Sequence, residues 1–492
     1  MPDKVQLKLL ATGVPGLDAI LGGGLPELSF TIIGGSPGSG KTTFAQQIMF
    51  SLATPDRPAL FFTALGEPPL KMLRYQQNFS FFDFDKVDRS IKFVNLGPHL
   101  VDGDFDKILA AIVKEVQIQT PRYIFIDSFR SVIQPALNDA HGLPNLQRFT
   151  QQLAIFTTSW QATTFLIGEY LPEETNKNPI FTIADCILWF TQNVWRNSMV
   201  RKIQVVKVRG LAQTPGLHTF RINPDGVEVF PRVLPAPEPP EHDASTTPAP
   251  VTEHRLGTGI LALDNMLGGG LPIGFSMLLV GPSGSGKSRI ATEFLTEGAR
   301  QGEPGVIATF EKRPGEMHTL YLDTSIRTGK LAVLTMQSLD LSTDETLHDL
   351  TTMIDQTKAK RVVFDSLSGF ELALAPEFRE DFRESLYRMI KVLTHKGVTL
   401  LMTTELEDRF TEFRFSPYGG AFLADAIVIQ RYVEIGGQLK TVIAVVKLRG
   451  SQHSRDFRLF EITTDGIAIG AEPFQYEGLL TGLPARAGLD VD

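Results

Sequence analysis

The chain has 492 residues, with 47 Lys plus Arg against 55 Asp plus Glu and a formal net charge of −8 at pH 7. A hydrophobic share of 42% with 21% charged residues is that of a globular protein, and no apolar run reaches the roughly 18 residues of a membrane span, so a disordered scaffold and a membrane protein are both excluded. The pI of 5.7 argues against a broad basic surface for nucleic acid, and a single cysteine, Cys186, leaves no intramolecular disulfide to form.

The amino-terminal stretch MPDKVQLKLL has no secretory apolar core, so a cytoplasmic location is expected. Next along the chain come Thr12-Gly13-Val14-Pro15-Gly16-Leu17-Asp18 and Gly22-Gly23-Gly24-Leu25-Pro26. The apolar run at residues 30–35 predicts a strand, the Gly-rich residues 35–43 a loop, and residues 41–53 a helix. Further strands are predicted at 59–64, 122–127 and 163–168, followed by Ala184-Asp185-Cys186 and the KVRG run from Lys207. Residues 234–254, LPAPEPPEHDASTTPAPVTEH, are too rich in Pro and polar groups to pack a core and read as a linker. Everything then recurs in the same order: Thr258–Asp264, Gly268–Pro272, strand 276–281, loop 281–289, helix 287–299, strands at 305–310, 361–366 and 398–404, Ala424-Asp425, and KLRG from Lys447. Five matching blocks at near-constant offset mean two copies of one fold. The boundaries expected are 1–233, linker 234–254, 255–484 and a short tail 485–492. Runs that are apolar throughout suit strands covered on both faces, so each copy is expected to be an α/β domain with a mainly parallel twisted sheet flanked by helices.

Gly35-Ser36-Pro37-Gly38-Ser39-Gly40-Lys41-Thr42, followed by Thr43, satisfies G-x-x-x-x-G-K-[ST], and so does Gly281-Pro282-Ser283-Gly284-Ser285-Gly286-Lys287-Ser288, followed by Arg289. Such a loop between a strand and a helix presents backbone N–H groups to phosphates, while the lysine reaches the β/γ oxygens. ATP and Mg²⁺ are the expected ligands. Thr42 and Ser288 would offer hydroxyls to the metal, joined by Asp127 and Asp365 at the ends of neighbouring strands. An Asp after a strand is by itself as often a turn former, and its duplication in register with the loop favours the metal role.

Together the TG(V/I)xxLD and GGGLP blocks, GxxGSGK, the Thr309-Phe310-Glu311 run, IDS or FDS, and K-x-R-G resemble the KaiC family of double RecA-like ATPases. The resemblance covers about Leu9 to Pro484. It implies two tandem RecA-like P-loop NTPase domains, a two-tiered homo-hexamer with ATP between neighbouring subunits, and a carboxy-terminal tier with serine/threonine autokinase activity. It further implies a general base among two adjacent glutamates after the second strand. Each half keeps one of these: Gly66-Glu67 in the first, Glu311-Lys312 in the second. It also implies that Lys207 and Arg209, with Lys447 and Arg449, reach across to a neighbour's γ-phosphate. The acceptor pair of clock members falls at Ala421 and Phe422, which carry no hydroxyl, although Ser416, Tyr418 and Thr404 lie nearby. Aligned so, a timer of the clock type is not expected.

Three readings follow. The first is a ring-forming, Mg-dependent ATPase, with the second half the better equipped and the first weakened by Gly66. The second is a nucleotide-gated scaffold that displays a surface to a signalling partner. The third, a RecA-like DNA-dependent ATPase, meets the acidic balance of the chain as its obstacle. Phe79 and the Phe81-Phe82-Asp83-Phe84 cluster are expected to pack in a core or interface, and Cys186 to be buried.

Overall fold

The computed structural model describes residues 7–64, 69–100, 104–137, 142–175, 178–195, 198–233, 254–310, 320–336, 340–406, 423–464, 466–477 and 485–486. Two compact units divide between Arg232 and Val233.

In the first unit a nine-stranded sheet contains β1 (Phe30–Gly35), β2 (Ala59–Thr63), β3 (Ile91–Asn95), β4 (Tyr123–Asp127), β5 (Thr163–Glu169), β6 (Cys186–Trp195), β7 (Ser198–Val208), β8 (Leu217–Asn223) and β9 (Gly226–Phe230). Their order is β9-β8-β7-β6-β1-β5-β4-β2-β3. Strands β3, β2, β4, β5, β1 and β6 run parallel, and β7 to β9 add antiparallel hairpins at one edge. The central strands are buried on both faces because their side chains alternate between two cores. Ile33, Phe125 and Phe165 pack with Phe44 and Ile48 of α1 (Lys41–Leu52). Ile32, Ile124, Ile126 and Leu166 pack on the other face against α2 (Phe105–Gln119), α3 (Phe129–Leu137) and α4 (Gly142–Ser159). Phe125 and Phe165 stack with ring centroids 4.5 Å apart, so truncating either to Ala would cost about 3–5 kcal/mol.

The second unit repeats this plan. Its strands are β10 (Ser276–Gly281), β11 (Gly305–Thr309), β12 (Leu331–Thr335), β13 (Arg361–Asp365), β14 (Thr399–Glu405), β15 (Ala426–Ile435), β16 (Gln438–Leu448), β17 (Arg458–Thr463) and β18 (Gly466–Ile469). Read from the antiparallel edge, the order β18-β17-β16-β15-β10-β14-β13-β11-β12 matches that of the first sheet strand for strand. Helices α5 (Lys287–Arg300), α6 (Thr343–Thr357), α7 (Leu367–Ala373) and α8 (Phe382–His395) cover its two faces.

Two repeated blocks acquire structural roles. The Asp18 carboxylate accepts bonds from the Thr12 amide at 3.1 Å and hydroxyl at 2.7 Å, and Asp264 takes the Thr258 amide at 2.7 Å, so T-G-x₄-D closes the turn before a short helix. Leu25–Pro26 pairs with Leu9–Leu10, as Leu271–Pro272 does with Arg255–Leu256. The phenylalanine cluster divides. Phe79 stacks on Phe81 and Phe82 packs on Phe50, whereas Phe84 is 74% exposed, because it lies on a short turn at residues 84–86 that buries none of its side chains.

Candidate functional site

Both phosphate loops sit at the carboxyl end of the middle strand of their sheet, β1 or β10, and open directly into α1 or α5. The last loop residue must be glycine. Gly40 and Gly286 hold φ of 97° and 96°, and a Cβ on them would lie 2.5 Å from Ile222 Cδ1 and 2.8 Å from Ile462 Cδ1 respectively. Neither helix start has a side-chain cap, so its first N–H groups point to the loop's concave face, where an anion would take them up.

The lysines are nearly enclosed, 7% exposed for Lys41 and 8% for Lys287. Lys41 Nζ donates to the Ser36 carbonyl at 2.7 Å; Lys287 Nζ donates to those of Gly281 and Pro282 at 2.8 and 2.7 Å. Burial pulls the Lys41 pKa down, against the opposing pull of Glu169 and Asp127. Ser39 bonds back to the Ser36 carbonyl, and Ser285 to Gln430 Oε1, which sets the loop's curvature. Gly38, Gly40, Lys41, Thr42 and Thr43 line one cavity, and Ser283, Gly284, Gly286, Lys287, Ser288 and Arg289 line the other. Gly35, Ser36, Pro37, Gly281 and Pro282 precede these lining residues in their loops.

Asp127 and Asp365 close β4 and β13, two strands from the loop strand. Thr42 Oγ1 donates to Asp127 Oδ2 at 2.7 Å. Burial pushes the Asp127 carboxyl up to about 6, opposed by the Thr42 bond and Lys41 and reinforced by Glu169. In the second unit Thr403 donates to Asp365 Oδ1 at 2.6 Å, and the buried Oδ2 has no partner among the described residues. Ser288, Lys287 and Asp365 share one cavity. A hydroxyl and a carboxylate are hard oxygen donors, and the bare Asp365 Oδ2 calls for a cation, so these pairs fit Mg²⁺, which takes its other ligands from water and phosphate. No group of three or more His, Cys, Asp or Glu able to hold a metal by itself occurs among the described residues. The peptides Asp127–Ser128 and Asp365–Ser366 are both cis.

Glu67 and Glu311 lie outside the described residues, as do Ala421, Phe422, Ser416 and Tyr418. Thr404 lies inside β14 and is 1% exposed, which hides its hydroxyl from a phosphoryl donor.

The four late cations are not brought to their own unit's loop. Lys207 bonds the Thr182 carbonyl at 3.2 Å, and Arg209 bonds Asp185 Oδ1 at 3.0 Å, while Asp185 Oδ2 accepts the Phe30 amide at the start of β1. Lys447 bonds the Ala424 carbonyl at 2.6 Å, Arg449 reaches Asp425 at 3.5 Å, and Asp425 accepts the Ser276 amide. They therefore stand at the amino end of the loop strand, roughly 17 Å from the loop at about 3.3 Å per residue. Arg209 and Arg449 remain well exposed there.

Sequence reasoning missed a carboxylate in each cavity. Glu169 and Glu405 end β5 and β14, opposite Gly35 and Gly281 across the sheet. The signal was present, since TTFLIGE and TLLMTTE end alike in register. Arg130 and its partner Glu174 were also missed, because Arg130 falls where the repeated block stops matching: Phe129-Arg130-Ser131 stands against Leu367-Ser368-Gly369 in the second half.

The family profile described as "ATPase: KaiC" matches residues 10–233 and again 256–473. The chain belongs to the KaiC family. Among curated proteins, the circadian clock oscillator protein KaiC of Parathermosynechococcus lividus is 26% identical over 97% of this chain and 88% of its own length. KaiC of Thermosynechococcus vestitus is 26% identical over 99% of this chain and 93% of its own. KaiC of Prochlorococcus marinus is 25% identical over 98% and 96%. Each KaiC repeat of this chain thus coincides with one nine-stranded sheet and its phosphate loop, and the two are RecA-like ATPase domains in tandem. No helix among the described residues is long and apolar enough to cross a membrane.

Proposed function

We propose that this KaiC-family chain hydrolyses Mg-ATP and assembles into a nucleotide-dependent ring of identical subunits, a two-tiered hexamer acting in signalling. The observation that carries the reading is the duplicated set of buried lysine, loop glycines, hydroxyl and strand-end carboxylate, with Asp365 Oδ2 bare in a cavity shared with Lys287 and Ser288.

In this reading the loop N–H groups of residues 35–42 and 281–288 bind the phosphates, and Lys41 and Lys287 exchange carbonyl partners for phosphate oxygens. That exchange keeps each buried ammonium paired throughout. Thr42 with Asp127, and Ser288 with Asp365, hold Mg²⁺, which when bound neutralises charge developing on the phosphoryl oxygens. Glu67 and Glu311 serve as general bases for water. Glu169 and Glu405, at the rim, orient that water. Lys207, Arg209, Lys447 and Arg449 stand too far from their own loop, and the exposure of Arg209 and Arg449 suits this set to a neighbour's site, where a cation in trans meets transition-state charge. ATP between subunits then joins assembly to turnover. Autophosphorylation lacks the usual acceptors, since Ala421 and Phe422 have no hydroxyl and Thr404 is enclosed.

The test mixes two inactive chains, Lys41→Ala/Lys287→Ala and Arg209→Ala/Arg449→Ala, and follows phosphate release. On mixing, the intact loop of the arginine variant can bind ATP and meet the intact arginine of the lysine variant at a shared junction, so activity should return. Arginine variants that keep full activity on their own would reject the trans assignment.

A further inference from the structure

We propose that Arg130 is a phosphate-contacting cation of the first-half site, supplied by the same chain and held in check by Glu174. It rests on reading that loop as an ATP site.

Arg130 is the third residue after Asp127, in the first turn of α3, and lines the cavity with Lys41, Thr42, Asp127 and Glu169. Its Nη1 donates to Glu174 at 2.8 and 3.1 Å and to the Glu169 carbonyl at 2.8 Å. The guanidinium therefore stands over the carboxyl ends of β4 and β5, beyond the Thr42–Asp127 pair. Thr42 and Asp127 would hold the metal that accompanies the phosphates, and Arg130, lining the same cavity as Lys41, would bring a second cation to the γ-phosphate.

The pair can exchange partners readily. The Arg130 and Glu174 side chains are 29% and 28% exposed, so water reaches the pair and can take over the carboxylate when the guanidinium turns to another anion. A phosphate offers the same fork of oxygens with more charge, which a planar guanidinium matches in two bonds. ADP lacks the γ-phosphate, so Glu174 keeps its partner. At the corresponding position of the second unit stands Ser368, which accepts the Glu405 amide at 3.4 Å and carries no charge. Arg130 thus gives the first half a sensor for the γ-phosphate at a position where the second half has Ser368.

The experiment measures calorimetric affinities for Mg-ATP and Mg-ADP in the full-length Lys287→Ala chain, where the second site is silent. Arg130→Ser should weaken ATP about tenfold and ADP less than about twofold, the net loss of the two charge-assisted bonds to phosphate after those to Glu174 are given up. Arg130→Lys should recover part of the preference. Glu174→Gln should tighten ATP about threefold, by releasing the guanidinium. Were Arg130 only a brace for the cavity wall, both Arg130→Ser and Glu174→Gln would weaken ATP and ADP alike, and the proposal would fall. If Arg130→Ser does not fold, Glu174→Gln decides alone: unchanged or weaker ATP binding overturns it. A parent Lys287→Ala chain that binds no nucleotide would overturn the first-half site itself, and this role with it.

Discussion

Replacing Asp365 with Asn separates metal binding from folding. The carboxylate is 7% exposed; Oδ1 takes the Thr403 hydroxyl at 2.6 Å and Oδ2 is buried without a partner among the described residues. An unmatched buried acceptor costs about 1–3 kcal/mol, a cost that a bound cation offsets. Asn keeps the shape and the acceptor for Thr403 while removing the charge. Stability of the second unit should hold or rise, with Tm moving by no more than about 2–4 °C, which is about 1 kcal/mol for a unit of this size. Catalysis should suffer far more: loss of the charged ligand is expected to lower turnover about 100-fold, about 2.7 kcal/mol at 1.36 kcal/mol per decade. Half-saturating Mg²⁺ should rise with it. The assay is phosphate release against Mg²⁺ concentration in a Lys41→Ala chain, beside thermal unfolding of the same samples. A variant that melts early yet keeps its turnover and Mg²⁺ dependence would make Asp365 a structural residue and refute the reasoning.

Two further outcomes are expected. The buried His218 accepts the Arg232 amide at Nδ1, 2.9 Å, which leaves Nε2 to donate to the Thr214 carbonyl at 3.2 Å, and burial lowers its pKa below the ordinary 6.5. The unfolded chain therefore binds more protons than the folded one between those two values, so this contribution is complete above 6.5 and shrinks as pH falls through the window. Urea unfolding at several pH values should show a shallower loss in His218→Gln than in the parent; equal slopes would count against it. The Cys186 thiol, pushed up to about 12 by burial, should resist iodoacetamide in the native protein and react fully in denaturant. Rapid native labelling would contradict its enclosure.

The parts of the site legible in the sequence are those made by short-range spacing. Loop glycines, the lysine and its following hydroxyl are consecutive, and Asp127 and Asp365 end apolar runs that could be read directly. Repetition supplied the second witness for each. What escaped depends on pairing across the sheet. Glu169 faces the site because β5 lies beside β1 with Glu169 opposite Gly35, a register that no local pattern displays. Arg130 escaped for the opposite reason, since looking for sameness between halves passes over a position where they differ. Lys207 and Arg209 were visible as cations, but only the pairing of Lys207 with Ile187 puts them at the far end of the loop strand. Likewise the antiparallel hairpins at residues 198–230 and 438–469 carry mixed polar and apolar faces, which a search for uninterrupted apolar runs does not find.

Light scattering and phosphate release, followed together on the purified chain with and without Mg-ATP, test the central claim most directly. Assembly on adding Mg-ATP with slow release, both lost in Lys41→Ala/Lys287→Ala, is the expected result. Assembly with no release would contradict it and leave ATP as the adhesive of a scaffold.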